Sequence, residues 1–177
     1  NGLSGLFLPE PALQAGIQEL RELRRQRDKM TAIIGVEAEG EVVATKLEIV
    51  REARIDLTGA MHPGLGIPTL DLDCMYAEKL LANTDRGNDR ATMSRDIIDL
   101  SVLQLHHGLI PDAAWAAVDE AYGKPAREAY AASVARIRDR SWLLACAEKM
   151  SIEHDLVEEI LQLHGGSFPP PPSPFDD

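Results

Sequence analysis

The chain has 177 residues and a formal net charge of −11, and 45% of its residues are hydrophobic. This length suffices for a domain with a sizeable core, and the acidic balance argues against a surface that coats nucleic acid generally. No apolar run approaches the roughly 18 residues of a membrane span, so we expect no membrane partner. Cys74 and Cys146 lie in predicted helices without C-x-x-C spacing, which indicates reduced, buried thiols and a cytoplasmic location.

The first predicted element is a helix over residues 11–30, with Pro11 in its first turn. Its apolar side comprises Ala12, Ala15, Ile17, Leu20 and Leu23. The last turns of this predicted helix contain a dense basic cluster, formed by Arg21, Arg24, Arg25, Arg27 and Lys29. We interpret this cluster as a solvated face that complements the C-terminus of the helix dipole. Contact with an RNA substrate is the alternative.

Two strands are predicted next, over residues 31–36 and 41–50, joined by an acidic turn that ends at Gly40. Lys46 and Glu48 alternate with Leu47 and Ile49, so the two charged side chains share one face of the second strand. The strand is expected to continue through residues 51–57. On spacing alone, the charged face fits an exposed cross-strand Lys–Glu pair.

The richest stretch spans residues 69–100 and begins with an extended segment over residues 69–72. Asp73 is predicted to cap a helix whose core face contains Ala77, Leu80, Leu81 and Thr84. Lys79, Asn83 and Arg86 recur at i, i+4 and i+7 and are expected to share a second face of this helix.

A polar loop over residues 85–91 precedes a second helix, for which Ser94 or Thr92 is the predicted cap. Asp96 and Asp99 lie three apart on this helix, and Arg95 is within i+4 reach of Asp99. The alternative is ordinary surface chemistry, because a lysine on an amphipathic helix is usually solvated and an early aspartate complements the helix dipole.

The remainder is predicted to be helical over residues 101–107, 113–122, 125–150, as one helix or two, and 151–164. A Pro-rich tail over residues 167–177 cannot pack as a helix or central strand. We therefore expect an α+β protein with three parts. These are a partial α/β portion over residues 1–72, a helical domain over residues 73–166, and the tail.

Four short motifs occur in a recognisable order: Thr45–Ile49 as a K-x-[DE] strand, Lys79–Ala82 as K-L-L-A, Asp85-Arg86, and Arg95–Leu100 as R-D-x-x-D-hydrophobic. In this order and spacing the chain resembles the AbiEii-type nucleotidyltransferase toxins, a group within the polymerase-β-like nucleotidyltransferase superfamily. The resemblance covers about residues 11–123. It implies a partial nucleotidyltransferase-like sheet in the N-terminal half, followed by a helical bundle.

The resemblance also implies an activity, the Mg²⁺-dependent transfer of a nucleotide from an NTP to an acceptor such as tRNA. Lys79 would then be a catalytic residue that binds phosphate, with Arg86 and Arg95 as further phosphate-binding groups. Asp96 and Asp99 would support the site, one orienting Lys79 or a metal-bound water and the other pairing with Arg95. An antitoxin is an expected partner, with the helical C-terminal half as its docking surface.

By the same resemblance, Glu48 is a candidate metal ligand, the third acidic residue near the metal. The main ligands belong to a Gly-Gly and Asp-x-Asp motif, which nothing upstream of Lys46 supplies. Asp71 and Asp73 have the right spacing but follow the K-x-E strand, so we do not assign them to the metal. We expect the motif to lie in an upstream segment of the gene product and these 177 residues alone to be inactive.

Two other interpretations remain open. One is a non-catalytic remnant or interaction module that keeps the motif residues for structure, which the missing Asp-x-Asp favours. The other is an unrelated helical regulatory or adaptor domain, in which Lys79 would have no unusual environment.

Overall fold

Three consecutive strands form an antiparallel sheet in the order β1-β2-β3 in the computed structural model. They are β1 (Ile17–Arg25), β2 (Lys29–Ala38) and β3 (Glu41–Val50). The structure describes residues 17–25, 27–38, 40–64 and 66–165, so the predicted Pro-rich tail lies outside the described residues.

The chain divides into two units, Asn1–Ala53 and Arg54–Asp177, and each is described by itself. The sheet of β1, β2 and β3 belongs to the first unit. The three parts predicted from the sequence, with boundaries at residues 72 and 166, stay a prediction.

The predicted hairpin is confirmed. β2 pairs with β3 along its whole length, with Thr31 opposite Glu48 and Ala32 opposite Leu47. Gly40 in the connection has φ 81°, a left-handed conformation that glycine adopts without steric cost. The β-branched residues of both strands favour this pairing.

The helix predicted over residues 11–30 is wrong from Ile17 onward, where the chain forms β1; residues 11–16 lie outside the described residues. β1 pairs antiparallel with β2, and its register shifts between Glu19 and Arg21 and again between Arg21 and Arg24. The irregular spacing of apolar residues suited a helix, but β2 offers a second free edge opposite β3. Backbone pairing along that edge overrides the helical preference of Leu, Glu and Arg. The proposed helix-dipole role of the basic cluster is lost with the helix.

The expected continuation of the second strand is also wrong, since β3 ends at Val50 and residues 51–58 contain no strand. The Arg51 backbone N–H donates to the carbonyl of Asp28 at 2.8 Å, which closes that end of the sheet. A separate two-stranded antiparallel sheet follows, formed by β4 (Gly59–Met61) and β5 (Pro68–Leu70).

Six α-helices occupy the rest of the described chain. They are α1 (Leu72–Arg86), α2 (Arg95–His107), α3 (Asp112–Ala121), α4 (Lys124–Ile137), α5 (Arg140–Met150) and α6 (His154–Leu163). The α+β class is therefore confirmed. The stretch over residues 125–150 forms two helices because Asp139 caps α5, accepting hydrogen bonds from the backbone N–H groups of Ser141 and Trp142.

Helix α1 is central to the second unit and packs against α2, α3 and α4. Its predicted core residues Ala77, Leu80 and Leu81 are buried, within a cluster that draws on all six helices. Cys74 and Cys146 are buried free thiols, as predicted. Among the helices of the described chain, none has the length and apolar character needed to cross a bilayer.

Candidate active site

Helix α1 begins two positions earlier than predicted. Asp71, not Asp73, is its N-cap, and its Oδ1 accepts a hydrogen bond from the backbone N–H of Cys74 at 2.9 Å. The Thr58 hydroxyl donates to Asp71 Oδ2. The hydrogen bond from Thr58 and the one from the Cys74 backbone together lower the pKa of Asp71. Asp73 lies in the first turn, where a carboxylate favours the helix dipole. The Asp71-x-Asp73 pair thus starts a helix.

Lys79 projects from the middle of α1 towards α2. Its Nζ forms an ion pair with Asp99 Oδ2 and lies 3.9 Å from Asp96 Oδ1. The side chains of Lys79 and Asp99 are 36% and 37% exposed, so this pair remains accessible to a ligand. The ammonium is therefore held in place without being enclosed.

Asp96 pairs with Arg86 at the end of α1. Arg86 donates from Nε to Asp96 Oδ2 at 2.6 Å and from Nη2 to Oδ1 at 2.8 Å, the planar two-bond geometry of a guanidinium–carboxylate pair. The Asp96 side chain is 2% exposed, whereas that of Arg86 is 53% exposed. The hydrogen bonds that Arg86 donates to Asp96 raise the pKa of Arg86, which therefore stays charged.

The two aspartates of the R-D-x-x-D motif thus have different partners. Arg86, Asp96, Lys79 and Asp99 form a continuous line of alternating charge between α1 and α2. The expected pairing of Arg95 with an aspartate is not among the ion pairs of the described residues. Across the helix interface Arg86 and Lys79 reach the carboxylates, while Arg95 lies exposed at the start of α2.

The loop between α1 and α2 is fastened by one side chain from a distant helix and by a hydrogen bond within the loop. Arg136 of α4 donates to the Gly87 carbonyl and to the side-chain oxygen of Asn88. The hydroxyl of Thr92 donates to the Asp89 carbonyl at 2.7 Å. A Cβ on Gly87 would overlap the Asn83 carbonyl, so this close turn requires glycine. The loop therefore holds Arg86 and Arg95 at defined positions.

Ser94 occupies the N-cap position of α2, one of the two predicted sites, but its side chain does not cap the helix. Its Oγ instead accepts a hydrogen bond from Trp142 Nε1 at 2.9 Å. Met93 and Ser94 have φ values of 52° and 55°, which non-glycine residues adopt only when the surroundings require it. The contact with Trp142 is one such requirement.

Two cavities flank the charged line. The apolar pocket, about 360 Å³, lies beside Lys79 and is lined by Leu70, Met75, Glu78, Lys79, Asp99, Val102 and Leu103. The basic pocket, about 310 Å³, lies at the Arg86 end and is lined by Arg86, Ala91, Thr92, Met93, Arg95, Lys149 and Met150. Lys79 and Arg86 thus each line one cavity.

The sequence did not predict two features of this region, the burial of Asn83 and the position of Lys149. Asn83, expected on the same face as Lys79 and Arg86, is 1% exposed, and neither amide atom has a hydrogen-bond partner within the described structure. Its helical spacing was visible, but its burial depends on α4, whose Ser133 lies beside the same turn. Lys149 has no local motif, and only the packing of α5 brings it to the basic pocket.

Glu48 belongs to the first unit, where its carboxylate contacts Lys29 Nζ at 2.5 Å and Lys46 Nζ at 2.8 Å. These ammonium groups, Lys29 foremost, lower its pKa to about 2. Magnesium requires several oxygen ligands, and the part of the chain that the structure describes contains no cluster of three His, Cys, Asp or Glu residues that could hold a metal. One carboxylate between two ammonium groups does not fit Mg²⁺.

The family model described as "Nucleotidyl transferase AbiEii toxin, Type IV TA system" matches residues 10–164, most of the chain. The chain belongs to the AbiEii nucleotidyltransferase toxin family. The match includes both units and the whole charged line of α1 and α2. Searches of curated proteins and of solved structures found no significant match. The AbiEii assignment makes this a nucleotidyltransferase-like toxin protein and agrees with the resemblance carried by the motifs.

Proposed function

We propose that this AbiEii-family chain supplies the phosphate-binding part of a nucleotidyltransferase, which transfers a nucleotide from an NTP to an acceptor such as tRNA. The observation that carries the proposal is the position of Lys79. Its accessible ammonium lies beside a cavity and is held by Asp99. We expect the reaction in the cytoplasm, consistent with the two free thiols.

Lys79 is the catalytic cation of this proposal. During nucleotidyl transfer negative charge builds up on the leaving phosphates, and a flexible ammonium can follow it. Asp99 holds the ammonium towards α2, and Asp96 lies within Coulombic reach of it. Arg86, fixed by Asp96, and Arg95 supply further positive charge for the triphosphate or the acceptor. The apolar walls beside Lys79 suit the faces of a nucleobase.

Nucleotidyltransferases use divalent metals, which neutralise the triphosphate and activate the attacking hydroxyl. The described residues do not fit such a site, and the sequence upstream of Lys46 has no Asp-x-Asp. We therefore propose that these 177 residues alone are inactive and that catalysis requires the Asp-x-Asp motif of the gene product. Glu48 does not fit Mg²⁺ by itself, between Lys29 and Lys46, and would be the third acidic ligand only beside the carboxylates of that motif.

The test replaces Lys79 in the complete gene product. We expect Lys79→Ala to reduce transfer of labelled nucleotide to RNA by about 100-fold or more, the scale found when one transition-state contact is removed. Its melting temperature should change little, because the lost ion pair is about one-third exposed.

Arg127→Ala is the control, because it removes another partly exposed ion pair, between α3 and α4, in which Arg127 is 53% and Asp119 37% exposed. Transfer should be retained in that variant. Undiminished transfer by Lys79→Ala would refute the assignment.

A second function fits the missing Asp-x-Asp, namely a non-catalytic module of a type IV toxin–antitoxin system whose helical half binds an antitoxin. Nucleotide binding separates the two proposals. The transferase requires that the complete gene product bind at least one NTP, and that Lys79→Ala weaken the binding. If equilibrium dialysis finds no NTP binding, the interaction module is favoured.

A further inference from the structure

Three cationic side chains line the basic pocket, and each comes from a different helix. Arg86 lies at the end of α1, Arg95 begins α2, and Lys149 lies in the last turn of α5. The cavity has no Asp or Glu in its lining. In a chain of net charge −11, three cations around one cavity without a carboxylate mark a local reversal of the overall charge.

The positive charge of the pocket is only partly neutralised. Asp96 engages Nε and Nη2 of Arg86, which leaves the Nη1 group of this half-exposed guanidinium without a hydrogen bond to the described part of the protein. Arg95 and Lys149 have no ion-pair partner among the described residues. An anion in the cavity would therefore meet positive charge from three directions.

The backbone beside the cavity also favours an anion. Because the Ser94 hydroxyl is engaged by Trp142, the first turn of α2 has no side-chain cap. Unpaired N–H groups and the helix dipole both attract negative charge at such a position. Met93, held in a left-handed conformation just before this turn, is itself part of the lining.

We infer that the basic pocket binds a phosphate group, and that Lys149 is one of its contacts. The inference rests on the proposed function for the kind of anion, a phosphate ester. Arg86 and Arg95 offer planar donors suited to phosphate oxygens, and Lys149 adds a point charge from a third helix. The phosphate belongs either to the NTP or to the backbone of a nucleic-acid acceptor.

The test measures binding by calorimetry with three probes: inorganic pyrophosphate, ATP and a short oligouridylate. Lys149→Gln should weaken pyrophosphate binding about tenfold, the effect of removing one charge-assisted contact. Lys149→Arg should bind normally because it keeps the charge. Lys124→Gln is the matched control, since it makes the same change on the exposed start of α4.

The probes distinguish the two sources of phosphate. Weaker ATP binding by Lys149→Gln would assign the pocket to the NTP. Weaker oligouridylate binding alone, with the salt dependence reduced by about one counterion, would assign it to a nucleic-acid backbone.

Three results would overturn the inference: no binding of any probe by the unaltered chain, unchanged binding by Lys149→Gln, or an equal loss in Lys124→Gln. None of these readouts needs transfer activity. A complete gene product that binds phosphate through Lys149 but never transfers nucleotide would refute only the proposed function.

Discussion

At the scale of single residues, the two aspartates of the R-D-x-x-D motif differ in surroundings although they lie one helical turn apart. Asp96 is 2% exposed and accepts two hydrogen bonds from Arg86. Asp99 is 37% exposed and pairs with Lys79. A buried carboxylate costs free energy unless it is paired, whereas an exposed ion pair contributes little to stability. Asp96 is therefore expected to contribute more to stability than Asp99, whose ion pair with Lys79 stays accessible to solvent.

This difference predicts that mutations of the two aspartates affect stability unequally. Asp96→Ala should lower the free energy of unfolding by about 2 kcal/mol, since it removes two charge-assisted hydrogen bonds across the α1–α2 interface. Asp99→Ala should change it by less than about 1 kcal/mol. Urea denaturation of both variants measures the difference. Equal losses would show that the exposure of the two carboxylates does not control their contribution.

At the scale of elements, α2 is joined to the end of α6 by a buried polar contact. His164 Nε2 lies 2.8 Å from Ser101 Oγ. That hydroxyl donates to the Ile97 carbonyl at 2.7 Å, so it accepts the N–H of the imidazole. Burial, with a smaller contribution from the charge of Arg138, lowers the pKa of His164. The folded protein therefore favours neutral His164.

The sign of the pH dependence follows from this pKa. The unfolded chain binds a proton at His164 below about pH 6.5, and the folded chain binds it only at lower pH. Stability is therefore complete above about pH 6.5 and falls as the pH drops from there to the folded pKa, by at most about 1.4 kcal/mol per pH unit. In thermal melts across this pH range, the stability of His164→Gln should therefore depend less steeply on pH than that of the unaltered chain.

His154→Gln, at the exposed start of α6, is the control and should keep the slope. If His164→Gln melts with the same pH dependence as the unaltered chain, another group is responsible.

At the scale of the whole molecule, the hydrophobic core of the described residues lies in the second unit. Every residue of β3 is exposed, and Ala32 of β2 is buried. The second unit has a core to which all six helices contribute. The stability of the second unit therefore depends chiefly on the packing around α1, which also carries Lys79 and Arg86.

Two leucines of the second unit test this dependence. Leu81 is 0% exposed in the core, and Leu109 is 82% exposed between α2 and α3. Leu81→Ala should lower the free energy of unfolding by about 2–5 kcal/mol, because it removes buried methyl groups and leaves a cavity. Leu109→Ala should change the free energy of unfolding by no more than about 0.5 kcal/mol. Comparable losses in urea denaturation would contradict a core centred on α1.

The sequence by itself determined those features that depend on near neighbours. Alternating β-branched residues around Gly40 predicted the hairpin, and helical spacing predicted the buried face of α1. The K-L-L-A and R-D-x-x-D motifs indicated the family and the residues that meet between α1 and α2. The start of α1 was predicted two residues too late, because Asp71 and Asp73 are both acceptable N-caps. The hydrogen bond from Thr58 distinguishes Asp71 in the structure.

Tertiary structure decided the features that depend on segments far apart in the chain. Residues 17–25 form a strand because β2 offers an edge, although their composition also suits a helix. Asp96 pairs with Arg86 rather than Arg95 because the partner comes from the facing helix. Lys149 reaches the basic pocket only through the packing of α5, more than fifty residues after Arg95. Local spacing cannot encode such contacts, since the free energy that selects them comes from burial and pairing between elements.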